Sequence, residues 1–149
     1  MTKQVLLTIA GLQIIDAEKA DPIEIVTAGD YYFRNGKHYV LYEEAVEGSN
    51  QCIQNTVKIG DGTVEVMKRG LTHSHMIFEK NKTNLSCYET PFGSMRMETR
   101  TSSVDIQETE HDIDVHVNYT LGINEDFVAD CEIKMNIKSK DAGTFTLQQ

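Results

Sequence analysis

Strict alternation between apolar and polar residues is the feature that most constrains this chain. In Asp112-Ile113-Asp114-Val115-His116-Val117-Asn118-Tyr119-Thr120-Leu121 every second side chain is apolar. That is the period of a β-strand with one face in a core and the other in water. The next segment repeats it. Phe127, Ala129, Cys131, Ile133, Met135 and Ile137 share one side, and Asp130, Glu132, Lys134, Asn136 and Lys138 share the other. Residues 122–125 between them form a short polar connection of hairpin length.

Earlier segments follow the same logic. Residues 23–34 and 37–46 flank Asn35-Gly36, the preferred pair for a two-residue type I′ turn, because both positions need positive φ. Asp61-Gly62 plays that part between residues 52–59 and 63–68, and Asn81-Lys82-Thr83 separates 73–79 from 85–90. Thr101 to Ser103 reads as a turn or bulge between 93–100 and 104–109. No window has a helical period; residues 16–21 would make one helical turn, stopped by Pro22. The sum is about eight to ten strands joined mostly by short turns. Consecutive hairpins must dispose of two sheet edges, and closure removes both. The expected fold is therefore all-β, an antiparallel up-and-down closed barrel in a single domain spanning residues 1–149. A two-sheet sandwich, which usually carries longer crossing connections, is the competing architecture.

Composition narrows the partners. Fourteen basic against twenty-three acidic residues give a net charge of −9. That balance opposes nucleic-acid binding and attachment to an anionic membrane, while favouring a monomer or at most a weak homodimer. Cys52, Cys87 and Cys131 are odd in number and widely spaced, which reads as reduced thiols. Residues 5–15 follow Lys3 and have the length of a signal peptide's apolar region. Thr8 and Gln13 interrupt it, and Asp16-Ala17-Glu18-Lys19 offers no small-residue cleavage site. The segment reads as the first strand, with a cytoplasmic location by default.

Several segments carry a family resemblance. Arg69-Gly70, Met76-Ile77-Phe78-Glu79 and Tyr88-Glu89-Thr90-Pro91-Phe92-Gly93, with Tyr42-Glu43-Glu44 earlier, make the chain similar to the YwiB-like family of uncharacterised bacterial proteins. Thr-Pro-Phe-Gly is the most specific piece. The resemblance covers nearly the whole chain and implies a calycin-like barrel, related in shape to lipocalins and fatty-acid-binding proteins. It implies no activity and carries over no catalytic or binding residue. The chain has no tryptophan, so the lipocalin Gly-x-Trp signature is missing. Fatty-acid-binding proteins tend to hold a carboxylate with a late Arg-x-Tyr pair; here Lys134 and Lys138 lie opposite the apolar face.

Candidate chemistry is sparse. His73-Ser74-His75 with Glu79 resembles the first cupin motif, and on a strand the two imidazoles share a face. The flanking glycines are missing, however, and Arg96 stands where a second-motif histidine belongs. A guanidinium cannot ligate a cation. Met76 and Phe78 should face the core, turning the histidines and Glu79 to water. No metal, cofactor or catalytic residue is expected, since neither a nucleophile elbow nor a phosphate-cradling loop is present.

The barrel interior remains. Thr27, Tyr31, Tyr42, Glu44, Asn55, Thr99 and Tyr119 share the apolar faces. An inward Glu44 needs a donor, a raised pKa or water. Tyr42 and Glu44 share a face, and Tyr88 would supply a second hydroxyl. Arg69 is the natural counter-charge, although alternation with Val64 and Val66 turns it outward unless Gly70 introduces a bulge. The expected ligand site is thus Tyr42, Glu44, Arg69 and Tyr88, holding a small, partly apolar molecule in the barrel. Two alternatives stand beside it: a filled barrel acting as a structural or protein-interaction module, and an enzyme with its site at the barrel mouth.

Overall fold

The computed structural model describes residues 1–11, 24–45, 48 and 50–140. Ten antiparallel strands account for nearly all of them: β1 (Gln4–Ala10), β2 (Glu24–Arg34), β3 (Lys37–Ala45), β4 (Cys52–Gly60), β5 (Thr63–Arg69), β6 (Ser74–Glu79), β7 (Lys82–Thr90), β8 (Gly93–Glu108), β9 (Asp112–Ile123) and β10 (Asp126–Ser139). The sheet order is β6-β5-β4-β3-β2-β1-β10-β9-β8-β7. Two meanders, β1–β6 and β7–β10, are joined by pairing of β1 with β10. The up-and-down barrel expected from the hairpin turns is what forms. The expected helical turn at residues 16–21 and the end of the first apolar segment lie outside the described residues.

Closure falls between β6 and β7, and it is made without a ladder. At one end the two strands share a single bridge, His73 N–H to Glu89 O (2.9 Å) and Glu89 N–H to His73 O (2.8 Å). Further along, side chains take over. The Thr99 hydroxyl and the Asn84 amide both donate to the Ile77 carbonyl, at 3.0 and 3.3 Å. The barrel is nearly closed, with its last seam stitched partly by side chains.

Turn chemistry explains the register. Asn35 and Gly36 have φ of 54° and 77°, and Asp61 and Gly62 have 53° and 73°, as type I′ hairpins require. Glycine occupies the left-handed region without a Cβ penalty, so Gly36→Ala should lower stability by about 1 kcal/mol. Equilibrium urea unfolding would measure it, and no neighbour lies within 4 Å of an added Cβ to confuse the reading.

Three expectations are refined. Asn81 alone carries the left-handed turn between β6 and β7 (φ 63°), so β7 begins at Lys82. Thr101 to Ser103 is a bulge, and β8 runs through it unbroken. Phe127 does not share the inward face of β10. A register shift between Phe127 and Ala129 inverts the alternation, leaving Phe127 67% exposed and Val128 packed against the core.

The interior is built in rungs. One reads His38-Ile59-Val64-Phe78 across β3 to β6, and the next Val40-Val57-Val66-Met76. The apolar residues of both are buried, with Ile59, Val64, Phe78, Val40 and Val57 fully so. Ile113, Val117, Ile133 and Ile137 complete this core from β9 and β10. This half of the barrel is filled by side chains.

Candidate functional site

The third rung breaks the pattern. Along the same four strands it reads Tyr42-Asn55-Lys68-Ser74, every member polar or amphipathic. Alternation puts all four on the inward face, and Tyr42, Asn55 and Ser74 are buried. Glu44, opposite Ile53, stands one step nearer the barrel end. Lys68 Nζ donates to Glu44 Oε1 at 2.9 Å and to Asn55 Oδ1 at 3.0 Å. Asn55 Nδ2 contacts the same Glu44 oxygen at 3.3 Å and the Ile53 carbonyl at 3.3 Å. The lysine and glutamate side chains are only 14% and 28% exposed, so this is a partly buried ion pair inside a barrel wall. Such a pair gains little net stability over apolar packing, because desolvation opposes the Coulombic attraction.

The wall opens beside this rung. β2 pairs with β3 from Arg34↔Lys37 up to Asp30↔Leu41. Beyond that, β2 continues with β1 to Glu24, and β3 continues with β4 to Ala45. The two strands part, and a cleft of about 630 Å³ lies at the fork, lined by Thr27, Gly29 and Tyr42 and by the exposed Gln4, Ala28, Asp30, Leu41, Glu43 and Gln54; Glu44, Asn55 and Lys68 are not part of its lining. Tyr42 therefore borders the cleft from a buried position. Its hydroxyl makes no hydrogen bond among the described residues. Burial, and then the charge of Glu44, raise its pKa, so it stays an O–H.

The expected site residues separate accordingly. Tyr42 and Glu44 come together inside the barrel. Tyr88, on the inward face of β7, is half-buried against the core at the same barrel end. Arg69 is corrected: it is exposed, lies opposite Gln54, and is not the counter-charge. β5 keeps its alternation to its end, so Val64, Val66 and Lys68 face inward and Arg69 outward. Gly70 follows the strand with φ 138°, where an added Cβ would sit 2.9 Å from the Cys52 carbonyl; it ends β5 without bulging it. Lys68 takes the role assigned to Arg69.

The histidine cluster faces outward. His75 pairs with Glu65 at 2.8 Å, while His73 serves the β6–β7 bridge through its backbone. Among the described residues no group of three or more His, Cys, Asp or Glu is arranged to hold a metal. The Thr-Pro-Phe-Gly segment is a hydroxyl-stapled turn. The Phe92 N–H donates to Thr90 Oγ1 (3.1 Å), which donates to the Gly93 carbonyl (2.9 Å), and Phe92 projects fully into solvent.

At the opposite end of the barrel lies an arrangement that sequence reading missed. The Tyr31 hydroxyl is 2.7 Å from His38 Nδ1, and His38 Nε2 is 2.7 Å from Glu108. An imidazole that donates from Nε2 to Glu108 can accept the Tyr31 O–H hydrogen bond at Nδ1. Burial, followed by Glu108, raises the Tyr31 pKa. Tyr31 and His38 are buried and Glu108 is half-exposed, so this hydrogen-bonded chain runs from the core to solvent at that end. The available signal was His38 sharing a face with Val40 and Tyr42.

These tyrosines yield a pH prediction. Tyr31, Tyr42 and Tyr119 all have raised pKa values, burial being the largest cause in each. The unfolded chain releases these protons near pH 10 and the folded chain holds them. Their contribution is therefore complete below about pH 10 and is lost as pH rises beyond it. Alkaline titration should show part of the tyrosinate absorbance appearing only together with unfolding.

Comparison with known proteins agrees with the fold. The chain belongs to the family described as Domain of unknown function (DUF1934), which it matches over residues 7–135. It is also similar to "Uncharacterized beta-barrel protein YwiB" of Bacillus subtilis (strain 168). The two are 26% identical over 113 residues, covering 76% of this chain and 78% of the relative. The crystal structure of the ywiB protein from Bacillus subtilis superposes with a TM-score of 0.76 at 22% identity, covering 92% of each chain. That likeness speaks for the barrel fold alone.

Proposed function

We propose that this protein binds a small, partly apolar molecule at the end of the barrel where β2 and β3 part. The observation that carries the reading is the change from the apolar rung Val40-Val57-Val66-Met76 to the polar rung Tyr42-Asn55-Lys68-Ser74. A barrel that only needed filling would gain more from continuing the apolar series, since burying an ion pair is at best balanced by its own attraction. Ile25, Ile53 and Tyr88 offer apolar surface at the same end, and Tyr42, Glu44 and Lys68 offer hydrogen bonds. The filled lower core confines the ligand to this mouth. Native mass spectrometry of freshly purified protein should show a bound small molecule, released on unfolding. A spectrum of bare chain at every condition would contradict the reading.

A second reading rests on other residues. Leu85, Phe92 and Phe127 are 78%, 99% and 67% exposed, three large apolar side chains turned to solvent. They suit a protein-interaction module that carries no ligand. Sedimentation showing concentration-dependent association, abolished by Leu85→Ser, would favour it.

We place the protein in the cytoplasm. No helix among the described residues is long and apolar enough to cross a membrane. Its three cysteines are free, and Cys52 and Cys87 are exposed. The outward faces of β9 and β10 carry Asp112, Asp114, His116, Glu132, Lys134 and Lys138, where a lipid-facing barrel would present an apolar band.

A further inference from the structure

We infer that the ligand of this mouth is uncharged, a hydroxyl- or amide-headed amphiphile, and that carboxylates and amines of the same length are rejected. The inference rests on the binding reading above and adds the chemical class. Lys68 and Glu44 are 2.9 Å apart and cancel each other's charge, so neither is left to neutralise an ionic head group. An entering carboxylate would gain no net attraction from this neutral pair, and the chain's net charge of −9 opposes it. An entering ammonium would find no unpaired carboxylate there either.

What the site does leave open is hydrogen-bonding capacity of both kinds. Lys68 uses two of its three N–H groups, on Glu44 and Asn55. Both contacts to Glu44 fall on Oε1, leaving Oε2 as an acceptor. The Tyr42 hydroxyl, on a residue 95% withdrawn from solvent, has no hydrogen-bond partner among the described residues. A free ammonium N–H, a free carboxylate oxygen and a free hydroxyl complement a group that both donates and accepts without net charge. A primary amide or an alcohol does so. A carboxylate cannot donate and an ammonium cannot accept.

The test is a titration of isotopically labelled wild-type protein with octanamide, octanoate and octylamine near neutral pH, followed by amide chemical shifts. Octanamide should perturb Tyr42, Asn55 and Lys68 and bind at least about tenfold more tightly than either ion. Equal or tighter binding of octanoate or octylamine at these residues would overturn the charge inference while leaving a mouth site standing. Failure of all three to bind would overturn the site and the inference together. Glu44→Gln provides a second arm, because it leaves Lys68 uncompensated. Octanoate should then overtake octanamide, and an unchanged order would count against the inference.

Discussion

Phe78→Ala should destabilise the barrel by about 4 kcal/mol, the upper range for emptying a fully buried aromatic site. Phe78 is wholly buried in the rung it shares with His38, Ile59 and Val64. Its ring centroid lies 4.8 Å from that of Tyr119, at an interplanar angle of 59°. That tilted contact adds to the area lost. The residue also stands on β6, the strand held across the seam by one bridge and two side-chain hydrogen bonds, from Asn84 and Thr99. Loss of its packing should therefore loosen the seam as well as the core. Chemical denaturation would give the stability change. Hydrogen exchange should show the β6 and β7 amides opening before those of β9 and β10. A loss below about 1 kcal/mol would mean that the lower barrel is not the filled core described.

Lys68→Met tests the other half of the interior. It removes the only cation that contacts Glu44 among the described residues, leaving that carboxylate with the 3.3 Å contact from Asn55. Breaking a fully buried pair costs about 3–5 kcal/mol; with 14% and 28% exposure the expected loss is about 2 kcal/mol. The informative comparison is the double variant K68M/E44L. Removing both charges eliminates the stranded carboxylate, so most of the stability should return. Ligand retention should not return with it. Equal losses in the single and double variants would show that Lys68 acts through packing of its aliphatic stem and not through its charge.

Local chemistry accounts for most of what sequence reading could foresee. Alternation along β9 and β10, and the paired left-handed residues at Asn35-Gly36 and Asp61-Gly62, specify strands, faces and hairpins within a few residues of each other. The same alternation places Tyr42, Glu44 and Asn55 inward. Followed one step past Val66, it also places Lys68 inward; choosing Arg69 required a bulge at Gly70 that β5 does not contain. Non-local events were out of reach. The extra residue at Val128, which turns Phe127 out, leaves no local mark. Neither does the parting of β2 from β3, which depends on where two ladders stop. The β6–β7 seam is similar: a short turn at Asn81-Lys82-Thr83 suggests a ladder, and only the approach of Asn84 and Thr99 to Ile77 shows what replaces it.

On the proposed reading, the polar rung is a ligand site and not an eccentric piece of core. The most direct measurement is a high-resolution crystal structure of protein purified without denaturation, read at the fork between β2 and β3. Density larger than water is expected at the fork, within hydrogen-bonding distance of Lys68 Nζ and the Tyr42 hydroxyl. Lys68 and Tyr42 sealed by side chains of the same chain, with no room at the fork, would contradict it.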